Sequence, residues 1–164
     1  MTNEHSPELD TTLDPWLEQT MEVIEEISPV IFGALPIKVH QAEVPTENYL
    51  GSSIQLEIDD AVVEIGFFAE ENVCRQLASA LLGMDAEMLE EFGLDLQDAL
   101  GEVCNILAGG LKGRLHHHHE HFQLGIPTGL DMASFLHDPP RIANLELTLE
   151  DSSAAHFTLR LPVN

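Results

Sequence analysis

The chain has 164 residues, 44% of them hydrophobic, which is enough for one domain with a core of its own. It carries 29 acidic and only 6 basic side chains, so its formal net charge is −23. A charge of this size disfavours binding to nucleic-acid backbones and to anionic membrane surfaces. No apolar run approaches the roughly 20 residues of a membrane-spanning helix. The acidic N-terminal residues lack the basic and apolar regions of a signal peptide. We therefore expect a cytoplasmic protein.

Composition also indicates how the chain is organised. Residues 1–13 are polar and predict a flexible N-terminal segment, which leaves 14–164 as a single domain. The two cysteines, Cys74 and Cys104, each stand alone in an apolar pattern with no CxxC spacing. Such placement predicts two buried free thiols.

The first regular element is a predicted helix over Pro15–Phe32. Asp14 followed by Pro15 is typical of a helix start, with a capping side chain and a proline in the first turn. Apolar side chains then recur at mostly helical spacing. Pro29 lies inside this pattern and predicts that the helix ends or kinks near Ile27 to Ser28.

Three alternating runs follow, and they predict strands: Ile37–Val44, Gly51–Ile58 and Ala61–Phe68. The short Asp59-Asp60 link predicts an antiparallel hairpin between the last two. A helix is expected over Glu70–Leu82, ended by Gly83. The connector Met84–Leu94 has room for one short helical turn, with its two methionines in the core.

The stretch Asp95–Leu115 predicts an amphipathic helix, because its residues fall on two faces at about 100° per residue. The apolar stripe is Leu96, Leu100, Val103, Leu107 and Leu111. The opposite side carries Asp98, Glu102, Asn105, Gly109 and Lys112. Glu102 and Asn105 are i, i+3 neighbours and so project from one patch. The small residues Gly101, Ala108 and Gly109 predict a smooth surface around that patch, which another backbone can approach.

The C-terminal third predicts three more strands. Phe122–Leu130 is the first, and Asp138-Pro139-Pro140 predicts a turn after it. Ile142–Leu149 and Ala154–Val163 alternate and are expected to form a hairpin through Asp151–Ser153. No internal repeat is visible.

The string DALGEVCNILAGGLKGRL resembles the signature helix of the CheC/CheX/FliY family of chemotaxis phosphatases. Glu102 and Asn105 match the family's E-x-x-N pattern, and Lys112, Gly101 and Gly109 match the residues around it. The resemblance carries the helix past Lys112 to about His118, whereas glycine propensity alone ends it at Gly109. Pro127-Thr128 stands where the family commonly has Pro-Thr. A single copy of the motif in a short chain is similar to the CheX branch.

The resemblance implies an α+β fold of the CheC/CheX kind, an antiparallel sheet with long helices packed on it. It implies a phosphatase that removes the aspartyl phosphate of a CheY-like receiver, in chemotaxis or related two-component signalling. Glu102 is expected to contact the receiver's active-site lysine. Asn105 suits the orientation of the attacking water, because an amide both donates and accepts. Asp98, one turn before Glu102, is a candidate support for the patch.

The resemblance also predicts cofactors and assembly. Mg²⁺ is expected on the partner receiver, so the chain needs no cofactor or metal of its own. CheX-like proteins dimerise by continuing their sheets, and this implies a homodimer. The last two predicted strands would then be the exposed edges that need covering.

Two other interpretations stay open. The same fold is compatible with a non-catalytic module that only binds a receiver. The run His116–His119, followed by Glu120 and His121, is compatible with a metal sensor, since His117 and His121 share a face of a helix and suit Zn²⁺ or Ni²⁺. A fortuitous exposed run at a helix C-terminus, where the helix dipole mildly favours imidazolium, is the simpler explanation. No G-x-S-x-G, Walker A or G-x-G-x-x-G motif indicates another chemistry.

Overall fold

The computed structural model describes residues 13–32, 38–93, 95–115, 120–136, 141–149 and 153–161. The helices are α1 (Leu13–Phe32), α2 (Glu71–Leu82), α3 (Ala86–Glu91), α4 (Leu96–Leu115) and α5 (Met132–Leu136). The strands are β1 (Lys38–Gln41), β2 (Leu50–Ile58), β3 (Ala61–Ala69), β4 (Phe122–Leu124), β5 (Thr128–Asp131), β6 (Arg141–Thr148) and β7 (Ala154–Leu161). None of the helices in these ranges is long and apolar enough to cross a membrane.

The seven strands form one antiparallel sheet in the order β1-β6-β7-β3-β2-β4, and β5 also pairs with β2. The predicted antiparallel β2–β3 hairpin is confirmed, with a register that runs from Leu50 opposite Ala69 to Ile58 opposite Ala61. Asp59 makes the tight turn with φ 50°, a left-handed conformation that Asp tolerates better than most side chains. The predicted β6–β7 hairpin is also confirmed, although its turn residues 150–152 lie outside the described residues.

The main core lies between one face of the sheet and the long helices α1 and α4. Alternate residues of the central strands point into it, as the period of a half-buried strand requires. They include Ile54, Leu56, Ile58, Val63, Ile65, Phe67, Phe157 and Leu159, all at most 1% exposed. The α+β architecture predicted from the sequence is thereby confirmed.

Pro29 was predicted to end or kink α1 near Ile27 to Ser28, and an end there is wrong. The helix continues through Pro29 to Phe32. Proline forgoes one backbone hydrogen bond and costs about 3 kcal/mol in a helix interior. The last turn nevertheless places Ile31 and Phe32 in the core, only 6% and 2% exposed. Burial of two large apolar side chains offsets that cost. The helix starts at Leu13, which was assigned to the flexible segment, and the predicted Asp14 cap rests on a side chain outside the described residues.

Other differences concern strand limits and short helices. The predicted strand Phe122–Leu130 is two strands, because the chain leaves β2 at Gly125 to Pro127 and returns to it. The short helix α5 follows directly and was not predicted. The first strand is Lys38–Gln41, shorter than the predicted Ile37–Val44. Met88 of α3 was expected in the core but is 42% exposed. The predicted turn Asp138 to Pro140 lies outside the described residues.

The second face of the sheet is covered by α5 and the segment 42–49. Phe68, Met132 and Phe135 form a small apolar cluster there. Asn48 holds the segment against α5, since its Oδ1 accepts from the Ala133 amide at 2.9 Å. Its amide also donates to Asp131 Oδ2 at 3.1 Å.

A buried polar network lies beside this cluster. The Asn144 amide donates to the carbonyl of Glu43 and to His156 Nδ1, both at 3.1 Å. Its carbonyl oxygen accepts from the Thr158 hydroxyl at 3.0 Å. The Tyr49 ring stacks on the His156 ring at 5.6 Å. His156 Nδ1 must therefore accept a hydrogen bond, which requires an unprotonated ring nitrogen.

This network predicts a loss of stability at acidic pH. Burial lowers the pKa of His156, and the carboxylates of Glu146 and Glu47 offset this only in part. The unfolded chain therefore takes up the proton first as pH falls below about 6.5. His156 contributes stability above that pH, and the contribution is lost as pH falls through the folded-state pKa. We expect urea unfolding at pH 7.5 and 5.5 to show a larger loss for the parent than for His156→Gln. Equal losses in both proteins would contradict this assignment.

Two neighbouring glycines of α4 have opposite surroundings. A Cβ on Gly110 would lie 2.7 Å from Val23 Cγ1 and 2.6 Å from Ile27 Cδ1 of α1, whereas a Cβ on Gly109 would meet nothing within 4 Å. Gly110 thus allows α1 to pack closely on α4, and the stiff Val23 side chain has little freedom to move aside.

We expect alanine to act oppositely at these two positions. Gly109→Ala should raise the free energy of unfolding by about 0.5–1 kcal/mol through helix propensity alone. Gly110→Ala gains the same propensity but wedges the helices apart, so it should be less stable than Gly109→Ala by about 1–3 kcal/mol. Denaturant unfolding of both variants measures the difference. Equal stabilities would show that α1 does not pack on Gly110 as described.

The sheet edges differ from the prediction. Within the described residues β6 and β7 are interior strands, because β1 pairs with β6 and β3 pairs with β7. The edges are β1 on one side and the short strands β4 and β5 on the other. The interpretation that the last two strands are bare edges is therefore wrong.

Candidate functional site

The two faces predicted for α4 are confirmed. The helix is buried through Leu100, Gly101, Val103, Cys104, Leu107, Ala108 and Leu111. Glu102 is exposed and Asn105 is half-buried, so both lie on the open side of the helix. We call this pair the Glu102/Asn105 patch. Gly101 and Ala108 were expected to surround the patch, but both face the core, because the buried arc of α4 is wider than the leucine stripe alone. Gly109 is exposed, as expected.

The N-terminal half of α4 is fixed to β2 by polar contacts. The Ser52 hydroxyl donates to the carbonyl of Gln97 at 2.6 Å. The Gln97 amide donates to the carbonyls of Gly51 at 3.2 Å and Leu130 at 3.4 Å. Asp95 Oδ1 accepts from the Gln97 backbone amide at 2.9 Å, which satisfies one of the free N–H groups of the first turn. These bonds set the position of the helix just before Glu102.

The loop between β4 and β5 packs against the same part of α4. A Cβ on Gly101 would lie 3.1 Å from Pro127 Cβ and 3.5 Å from the Ser52 hydroxyl, so the loop packs closely on the helix at this glycine. Gly125 fixes the other side of the loop, since its backbone amide donates to the carbonyl of Gln55 at 2.8 Å. Between them Ile126 is 86% exposed. The sequence pattern gave no sign of this exposure, because Ile126 was expected in a continuous strand.

The C-terminal end of α4 continues past Lys112 to Leu115, as the resemblance implied and as propensity alone did not. Arg114 ties this end to α1, through Glu22 at 3.0 Å and through Glu26. The guanidinium is one-third exposed, so these ion pairs contribute little to stability. Lys112 is exposed on the same side as Glu102. The predicted extension to His118 lies outside the described residues.

Neither cysteine is a nucleophile. Cys74 and Cys104 are free and buried, as predicted. Burial raises the pKa of Cys74 to about 11 and that of Cys104 to about 12. Both thiols are therefore neutral at physiological pH, and the thiolate is the reactive form.

One perturbed carboxylate has a structural explanation. Hydrogen bonds from Ser134 and Asn48 lower the pKa of Asp131 to about 2. Asp131 Oδ1 accepts from the Ser134 backbone amide at 2.8 Å, at the start of α5. This is helix capping and lies away from the Glu102/Asn105 patch.

The described residues contain no group of three His, Cys, Asp or Glu side chains placed to hold a metal ion. Most of the histidine run, His116–His119, lies outside them. His121 is described, and its backbone amide donates to Asp59 Oδ1 at 3.0 Å. Its ring nitrogen lies 3.9 Å from Glu57 Oε2, which is an exposed and weak contact.

The fold is similar to those of several solved chemotaxis proteins. A CheC-like protein from Shewanella sp. PV-4 superposes with a TM-score of 0.66 at 15% identity, over 94% of this chain and 99% of that one. The CheX–CheY–BeF3–Mg²⁺ complex from Borrelia burgdorferi gives 0.65 at 14% identity, over 92% and 97%. CheX from Vibrio vulnificus gives 0.65 at 15%, over 92% and 95%. The chain thus has the fold of CheC-like and CheX chemotaxis proteins.

The family follows from the sequence itself. The family model described as chemotaxis phosphatase CheX matches residues 53–144, which include all of α4 and the loop that packs on it. This protein belongs to the CheX family. No curated protein has significant sequence similarity to it.

Proposed function

We propose that this protein is a phosphatase that hydrolyses the aspartyl phosphate of a CheY-like receiver domain. The observation that supports the proposal most is that exposed Glu102 and half-buried Asn105 lie together on the open side of a helix anchored to the sheet on its other side. Membership of the CheX family supports it independently. Both cysteines are buried, and the described residues contain no group of His, Cys, Asp or Glu side chains placed to hold a metal ion.

The proposed reaction suits these two side chains. A water molecule attacks phosphorus, the bond between phosphorus and the aspartyl oxygen breaks, and the products are a free carboxylate and inorganic phosphate. Such a transfer needs positioning and charge stabilisation more than covalent chemistry. The Asn105 amide accepts one hydrogen bond from the water and can donate another, which fixes the direction of attack. Glu102 is assigned to the receiver's active-site lysine, and Mg²⁺ to the receiver itself.

The partner is proposed by analogy. The Borrelia burgdorferi structure is a complex of CheX with CheY, BeF3 and Mg²⁺. A receiver activated by beryllofluoride is therefore a suitable binding probe for this chain. The complex supports a receiver domain as the partner. Experiment has to identify which receiver this chain acts on and in which pathway.

The test is the decay of phosphate on a purified, phosphorylated CheY-like receiver, with and without this protein. We expect decay to accelerate in proportion to the protein concentration. The alternative, a module that only binds, predicts capture of the beryllofluoride-activated receiver with no change in the decay rate. A receiver that neither binds nor loses phosphate faster contradicts both.

We also propose a homodimer. With β6 and β7 in the interior, a sheet that continues between subunits has to use β1 or the β4/β5 edge. Among the described strands, the short strand β1 is paired on one side only, by β6, and such an edge favours pairing with another strand. The mass in solution at micromolar concentration tests this, and a single-chain mass would contradict it.

A further inference from the structure

We propose that Ile126 is an apolar docking residue that contacts the phosphorylated receiver beside the Glu102/Asn105 patch. The inference rests on the proposed function and names a contact that the chemistry itself does not require. Ile126 would add binding energy and would not touch the reacting atoms.

The loop that carries Ile126 is fixed at both ends. Leu124 pairs with Leu56 and Thr128 pairs with Ser53, so both flanking strands are held by β2. The Gly125 backbone amide donates a hydrogen bond to the Gln55 carbonyl at 2.8 Å, and the Thr128 hydroxyl donates to the Ile126 carbonyl at 3.4 Å. A side chain on such a loop loses little backbone freedom when it binds, and this preorganisation favours affinity.

The loop also has a fixed relation to the patch. Pro127 Cβ lies 3.1 Å from the position that a Cβ on Gly101 would take, and Gly101 immediately precedes Glu102 in the helix. Exposure alone decides nothing, since isolated apolar side chains are common on protein surfaces. Ile126 is distinguished by being 86% exposed on a fixed loop that abuts the helix of the patch.

Charge explains why an apolar contact is needed. The chain has a net charge of −23, and the group it is proposed to act on is an anionic phosphate in an acidic receiver pocket. The overall field therefore opposes the encounter. Attraction has to come from local contacts, and burial of apolar surface is independent of charge. The same reasoning predicts that added salt speeds association, because it screens the repulsion.

The experiment compares steady-state dephosphorylation of one CheY-like receiver by the parent and by three variants at position 126. For Ile126→Ala we expect KM to rise about tenfold with kcat unchanged, the pattern of an interaction present equally in the bound and transition states. Ile126→Leu should stay near the parent, and Ile126→Asp should raise KM further. The affinity for the beryllofluoride-activated receiver should fall in parallel with the rise in KM.

Val62→Ala is the matched control. Val62 is 43% exposed, and its neighbours Val63 and Ile65 point into the core beneath the helices, so Val62 lies on the other face of the sheet. The Val62→Ala variant should have the KM and kcat of the parent. Melting temperatures of all variants should agree within about 2 °C, since the substituted side chains are exposed.

The outcomes separate the two proposals. A parent that does not accelerate phosphate decay overturns the proposed function and the inference with it. An active parent whose Ile126→Ala variant keeps the KM of Val62→Ala overturns the inference alone. An Ile126→Ala variant with a lower kcat and an unchanged KM also overturns the inference, because Ile126 would then act on the chemical step.

Discussion

Replacing Asn105 by alanine lowers the rate of receiver dephosphorylation at saturating protein by about 10²-fold or more, as expected for the loss of a positioned catalytic group. Binding of the beryllofluoride-activated receiver should survive, because most of the surface around the patch is unchanged. The substitution should alter the free energy of unfolding by no more than about 0.5 kcal/mol, since Asn105 lies on the open side of α4. Single-turnover decay of labelled receiver phosphate measures the effect directly.

The control for this variant is Gln41→Ala, another loss of an amide. Gln41 is exposed on β1, at the sheet edge opposite the β4/β5 loop. It should turn over at the parent rate. If Asn105→Ala is as fast as Gln41→Ala, the water-orienting role is wrong. If the parent binds activated receiver tightly but none of these proteins accelerates decay, the binding-module interpretation is favoured.

Local patterns predicted much of the site. The leucine spacing of α4 placed Glu102 and Asn105 on the open side, because a helix with one strongly apolar face has a single stable orientation on a sheet. The β2–β3 hairpin followed from alternation and a two-residue turn. These features depend on neighbours in sequence, and the structure confirms them.

Features decided by distant contacts were missed. Lys38 pairs with Thr148 near the other end of the chain, and the residues of these two segments give no sign that β1 pairs with β6. Gly101 was assigned to the surface because its contact, Pro127, comes from another element. Pro29 was expected to end or kink α1, and the helix continues past it because the residues after it are buried. The exposure of Ile126 likewise depends on where the chain leaves β2.

Glu102 should behave differently from Asn105, because its proposed partner is a lysine on the receiver. We expect Glu102→Ala to weaken binding of the activated receiver about tenfold and to lower turnover by a similar factor, a combined loss of about 10² in kcat/KM. Glu102→Gln keeps the size of the side chain and one acceptor oxygen but removes its charge. If the contact is an ion pair, this variant should recover little of the loss.

Salt and a second carboxylate distinguish this ion pair from a general field effect. Glu43→Gln removes the same charge from an exposed residue of the segment that covers the other face of the sheet, and it should leave kcat/KM nearly unchanged. The ratio of the parent kcat/KM to that of Glu102→Gln should shrink as sodium chloride is raised, because salt screens a partly exposed pair. If Glu43→Gln and Glu102→Gln change kcat/KM alike, Glu102 acts only through net charge and has no lysine partner. A ratio that is large and independent of salt instead indicates that the ion pair is shielded from solvent in the complex, where salt screens charges much less.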